Sequence, residues 1–198
     1  MEKHSDTYAA YVHMLREELV PAMGCTEPVA IAYCAAAARE ALGIIPDIVD
    51  IKVSGNILKN AKSVTVPNTG GLIGVEAAAA AGIIGGRADQ GLEVLSEITD
   101  EQKEQIHNYL ESAAFSLSPT FGDELLEIIV HVKKDGRSAM AHIKGGHANI
   151  VCIERDGQPL LQKKDEERSA LAGHKGRLNV KDIVAFAEAA DIDDIREP

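Results

Sequence analysis

Cys25 stands in the stretch MGCTEP (23–28) and is one of three cysteines in 198 residues. Thr26 is a residue type that caps helix N-termini, and Pro28 is tolerated in a first turn, where its missing N–H has no partner. The stretch therefore predicts a helix entrance. Such an end presents unpaired N–H groups and partial positive charge, which favour a thiolate over a thiol. Cys25 is placed to act as a nucleophile or a metal ligand, and equally to fill a turn as a small buried residue. Cys34 lies in an alanine-rich run and Cys152 in a strand-like run, so both read as core residues.

Two loops offer neutral hydrogen-bonding groups. Ser54 and Asn56 lie in SGN (54–56), and Asn68 and Thr69 lie in NTGG (68–71), just before a predicted helix. Loops of this composition expose backbone N–H groups to a carboxylate or phosphate, although they also serve as plain turns. Neither has the spacing of a dinucleotide fingerprint or a P-loop. Lys59 and Lys62 lie close by and could pair with an anion or, desolvated, act as a base; the alternative is a solvated surface lysine. His147 in GGHANIV (145–151) sits between glycines and a strand start, where a histidine can face a cleft or simply face solvent. His131 and His142 fall inside strand runs. The absence of HExxH, CxxC or a paired histidine set argues against a self-contained zinc site.

These residues need elements to position them. Tyr8, Tyr11, Val12, Leu15 and Leu19 recur at helical spacing over 5–20, with Ser5 or Asp6 as cap. Residues 27–42 are apolar on nearly every face and end at Gly43, which predicts a buried helix. DIVDIKVS (47–54) alternates like a strand, and 54–71 reads as strand–loop–strand. A small-residue helix is expected over 72–84 and an amphipathic one over 99–117, capped by Thr99 or Asp100. From about 124 the period changes to two. Short runs are separated by Asp135-Gly136, Gly145-Gly146 and Asp156-Gly157, a hairpin signature that predicts an antiparallel meander. Residues 163–178 read as a mobile loop, and a last helix spans 180–190 with Asn179 as cap. The expected fold class is α+β: small-residue buried helices beside a mostly antiparallel sheet.

Composition narrows the function. The net charge of −11, with no basic stripe, argues against nucleic acid and disfavours an anionic membrane surface. Three cysteines without CxxC spacing fit a reducing compartment. The N-terminus MEKHSDTYAA is polar where a signal peptide is apolar, and the longest apolar run, 29–38, is too short to cross a bilayer. A cytoplasmic location follows as the expectation.

Taken together, GCTEPVAIAYCAAAAREALG, VSGNILKNAKSVTVPNTGGLIGVEAAAAAGIIGG followed by LEVL, and HANIV resemble the L-cysteine desulfidase and L-serine dehydratase alpha-chain-like family, in order through most of residues 8–155. The resemblance implies a lyase that uses a [4Fe–4S] cluster and no pyridoxal phosphate. Such an enzyme releases sulfide or water from a small amino acid, leaving pyruvate and ammonia. It implies Cys25 as a cluster ligand, the other cysteines coming from a C-terminal half or a second chain. Residues 1–198 then form one α+β domain, the N-terminal part of a longer enzyme and inactive alone. A division into a helical part (1–120) and a sheet-rich part (121–198) is the alternative. Ser54, Asn56, Asn68 and Thr69 would hold the substrate carboxylate, Lys59 or Lys62 would serve as carboxylate partner or base, and His147 is a further candidate base. Two other classes compete: a binding or regulatory module without a cluster, and a thiol enzyme pairing Cys25 with His147. A homo-oligomer stays open, because the helix over 72–84 could pack within the fold or against a second copy.

Overall fold

The computed structural model describes residues 1–3, 5–163 and 178–196; the loop expected over 163–178 lies outside them apart from its two ends. The chain folds as two compact units, Met1–Pro21 with Lys163–Pro198, and Ala22–Gln162.

The first unit holds α1 (Asp6–Glu18), whose N-cap Ser5 accepts from the Tyr8 N–H as its sequence position predicts. Against it lie α6 (Val180–Ala189), capped by Asn179, and the short α7 (Ile192–Ile195). Tyr8, Tyr11, Met14 and Phe186 form its core, with the two tyrosine rings 5.1 and 5.2 Å from the Phe186 ring. The Tyr8 hydroxyl donates to Asp194 Oδ2 at 2.6 Å and accepts from the Asp191 N–H at 3.1 Å.

The second unit is built on α2 (Thr26–Leu42), buried on most faces and closed by Gly43 at φ +83°, a left-handed conformation that favours glycine. It packs on a six-stranded sheet of β1 (Ile48–Val53), β2 (Ala114–Pro119), β3 (Glu127–Lys134), β4 (Arg137–Lys144), β5 (Ile150–Arg155) and β6 (Gln158–Gln162). The order is β2-β1-β3-β4-β5-β6; β1 and β2 are parallel and every other pair is antiparallel. The α+β class and the meander of the second half are therefore what the sequence predicts. Asp135-Gly136 and Asp156-Gly157 turn the two hairpins with positive φ at both residues, the geometry that matches strand twist. Val49, Ile51, Val53, Ile128, Val130, Val132, Ala139, Ala141 and Ile143 alternate onto the buried face. Each of the larger ones contributes about 1.5–3 kcal/mol by leaving water.

Two local readings differ from the structure. Residues 55–61 form a helix, α3 (Gly55–Ala61), where a strand and loop were expected; Ile57 and Ala61, one helical turn apart, are both buried in the core. The amphipathic helix α5 (Asp100–Ser112) ends early, and 114–119 becomes β2 instead. Its partner is β1, more than sixty residues earlier in the chain, and no local pattern reports that pairing. Phe115 then meets Tyr109 edge-on at 5.6 Å.

The small-residue helix α4 (Val75–Gly85) packs inside the fold against α2, with Ala77 through Ala81 buried. At the crossing Gly82 lies on the backbone of Ala32, where any Cβ would collide with the carbonyl. Farther along both helices the Arg39 guanidinium donates to the Gly86 carbonyl. The two helices therefore run in the same direction, and their N-terminal ends share one end of the unit.

Candidate functional site

At that shared end α2 begins with Cys25 as N-cap, one residue earlier than the cap expected from sequence. The thiol is exposed and does not cap the helix with its sulfur. It donates instead to Glu27 Oε2 at 3.3 Å. Thr26 Oγ1 donates to the same oxygen at 3.4 Å and lies 3.4 Å from His147 Nε2. Asn60 of α3 donates from Nδ2 to the other oxygen, Glu27 Oε1, at 3.1 Å. Three segments thus converge on one carboxylate: the start of α2, the end of α3, and the β4–β5 connection that carries His147.

The charge state differs from the one the helix end alone predicts. Partial burial pushes the Cys25 thiol up, and its hydrogen bond to Glu27 and that carboxylate's charge push it further. Burial alone would also raise Glu27. Its own backbone N–H, Cys25, Asn60 and the neighbouring His147 outweigh that and hold its carboxyl below the ordinary value. The positive end of α2 is met by Glu27 and not by a thiolate, because a carboxylate in the first turn reaches the free N–H groups.

Ser54 is buried, and its hydroxyl donates to the Leu125 carbonyl at 2.8 Å and accepts from the Glu127 N–H at 3.4 Å. Thr69 is buried and donates to the Val66 carbonyl at 2.8 Å. Asn68 adopts φ +57° and its amide donates to the carbonyls of Leu95, Ser96 and Ile98 at 2.9, 3.4 and 3.3 Å. These three groups tie loops to the fold. Asn56, Lys59 and Lys62 are exposed. Of the residues singled out from sequence, Cys25 and His147 are the two that the structure brings into one hydrogen-bonded cluster. Cys25 bonds Glu27 and His147 faces Thr26, so the direct thiol–imidazole contact needed by a thiol enzyme is not formed.

Sequence reading missed Glu27 and Asn60. The signal available for Glu27 was an acidic residue in a first turn, directly after the cysteine and its neighbour; nothing local marks Asn60. Cys34 is sealed in the core with its Sγ 3.3 Å from the Ala141 carbonyl, and burial pushes its thiol up to about 12. Cys152 is buried on the sheet and donates to Gln162 Oε1 at 3.2 Å. Among the described residues, no group of three or more His, Cys, Asp or Glu is placed to hold a metal ion, and no helix is long and apolar enough to cross a membrane.

No family model and no solved structure matches the chain. It is 44% identical over 197 residues to a UPF0597 protein of Treponema denticola, covering 98% of this chain and 46% of that one. It is 43% identical over 199 residues to a UPF0597 protein of Desulfitobacterium hafniense, and 41% identical over 189 residues to one of Lachnoclostridium phytofermentans. Those matches cover 100% and 96% of this chain, and 46% and 45% of the relatives. The chain therefore spans about half the length of the relatives it matches. Their names state no activity. They overturn the resemblance drawn from sequence: relatives matching nearly the whole chain carry the UPF0597 name, not that of an L-cysteine desulfidase or an L-serine dehydratase alpha chain. Much of the motif that carried the resemblance is alanine and glycine, and in this fold that composition serves close helix packing, as at Gly82 on Ala32.

Proposed function

We propose that the Cys25 cluster is the thiol-bearing part of a site acting on a small amino acid. The reaction eliminates sulfide from L-cysteine, or water from L-serine, without pyridoxal phosphate. The α-proton leaves to a base, the Cβ–S or Cβ–O bond breaks, and the resulting aminoacrylate tautomerises to an imine that water hydrolyses to pyruvate and ammonia. The observation that carries this reading is the exposed Cys25 thiol on the Glu27 carboxylate, which also accepts from the Thr26 hydroxyl and the Asn60 amide, with the His147 imidazole beside Thr26. Such a set can orient a small polar ligand and move one proton.

An iron–sulfur cluster completed from outside this chain would supply a Lewis acid for such a reaction. A four-iron cluster takes several thiolates, and the described residues bring one exposed thiol, since Cys34 and Cys152 are buried. The chain alone does not fit such a cluster. Its other ligands would come from a second half or a second chain, in keeping with relatives of about twice the length. This chain would contribute Cys25 as one ligand and His147, beside Thr26 Oγ1, as the base. Lys59 and Lys62, exposed on and beside α3, are the alternative bases.

The test is anaerobic reconstitution, with iron and sulfide, of the protein at the full length of its relatives, followed by assay of sulfide release from L-cysteine and pyruvate formation from L-serine. A coloured, active product is expected, with Cys25→Ala losing colour and activity and His147→Ala losing activity alone. A colourless, inactive product that still binds amino acids would make the chain a binding module instead.

A further inference from the structure

We propose that the exposed apolar stripe of α6, with the groove between α6 and α1, docks a helix from the part of the relatives' length that lies outside their match to this chain. The occupant belongs to the same polypeptide at the full length of its relatives and presents an apolar face. Docking there is independent of the chemistry at Cys25.

α6 turns Phe186 into the core of the first unit, and Phe186 is its one buried residue. Val180, Ile183, Val184 and Ala187 follow the i, i+3, i+4, i+7 spacing of a single helix face, and all four are exposed. Val180 is 78% and Val184 52% accessible. An apolar stripe of this kind is the face that a helix of a globular protein buries against another element. Beside it runs a groove of about 410 Å³, lined by Tyr11, Met14, Leu15, Leu178, Ile183 and Phe186, with Glu18 as its one charged residue. The Tyr11 hydroxyl is buried and has no hydrogen-bond partner, an arrangement that completed cores rarely carry. The core cluster of the unit is Tyr8, Tyr11, Met14 and Phe186, in a unit of a size at which burial is marginal. Both observations describe a core open on one side.

The relatives point to what closes it. This chain matches 46%, 46% and 45% of three of them, so more than half of each polypeptide lies outside the match. A second copy of the chain is the weaker occupant. It offers the same ten-residue helix, about 15 Å long, against the roughly 800 Å² per partner of a stable interface. A segment of the same polypeptide escapes that requirement, because docking within one chain starts from a high effective concentration.

The test places a cysteine on each side of α6 and compares its alkylation rate in this chain and in the protein at the full length of its relatives. Ala187→Cys lies on the apolar stripe and Lys181→Cys on the polar side, and both positions are exposed here. At full length Ala187→Cys is expected to react about tenfold more slowly or less, with Lys181→Cys unchanged. A second measurement uses Val184→Asp, which should lower the thermal midpoint of the full-length protein and leave that of this chain where it is. Equal reactivity of Ala187→Cys at both lengths would overturn the proposal, as would an equal slowing of Lys181→Cys or an equal drop in midpoint at both lengths. Protection of Ala187→Cys that grows with the concentration of this chain alone would assign the stripe to a second copy and overturn it too. None of these readouts uses turnover, so the lyase reading stands or falls separately.

Discussion

The Cys25 thiol donates to the Glu27 carboxylate at 3.3 Å across a single intervening residue, at the open end of a helix otherwise buried. The helix end, which by itself would draw out a thiolate, is shared with an acid that takes its positive field. Cys25 is consequently pushed toward the thiol form, and unlike the other two cysteines it is exposed.

Alkylation of the native chain should therefore modify Cys25 alone. Peptide mapping after brief iodoacetamide treatment checks this, with Cys34 and Cys152 labelled only after denaturation. Equal labelling of Cys34 under native conditions would contradict its burial between α2 and the sheet.

Cys34 carries a pH signature. Its thiol is pushed up to about 12 from an ordinary value of 9.0, with burial the dominant cause. The folded state thus holds the proton more tightly than the unfolded chain. That contribution is fully present below about pH 9 and is lost as pH rises toward 12, at up to about 1.4 kcal/mol per pH unit. Urea melts of the protein and of Cys34→Ala between pH 8 and about pH 11 should show a shallower alkaline decline in the variant.

Gly82→Ala should destabilise the second unit by about 3 kcal/mol or more, because the new methyl meets the Ala32 backbone and not a side chain that can turn away. A large drop in thermal midpoint is expected. An unchanged midpoint would mean that α2 and α4 do not cross at this residue.

Tyr109→Phe removes a buried hydroxyl that donates to the Pro46 carbonyl at 2.7 Å, and leaves that oxygen unpaired. A loss of about 1–3 kcal/mol is expected in denaturant unfolding. Asn68→Ala should cost a comparable amount, since it removes three contacts to carbonyls at 95–98 and places alanine at φ +57°.

Much of the fold was legible locally. Ser5, Thr99 and Asn179 cap the helices their types and positions predict, and the Asp-Gly pairs turn the hairpins. Of the candidate residues named from sequence, Cys25 and His147 fall in the hydrogen-bonded cluster at the start of α2. Ser54, Asn68 and Thr69 have the composition of ligand-binding loops, yet they bond to backbone carbonyls. A polar side chain's type does not reveal whether its partner is a ligand or the protein's own main chain.

Residue order by itself determined the periodicities: a helix apolar on nearly every face over 27–42, a small-residue one over 72–84, and alternating strands joined by tight turns. Those patterns follow from burial and backbone sterics within a few residues, so they can be read without a partner. Tertiary structure alone decided that Asn60, 33 residues from Glu27, and His147, 121 residues from Thr26, meet at the start of α2. Their meeting depends on how α2 and α3 sit together and on the register of β4 and β5. Those are set by the packing of segments distant in sequence, which no local pattern encodes.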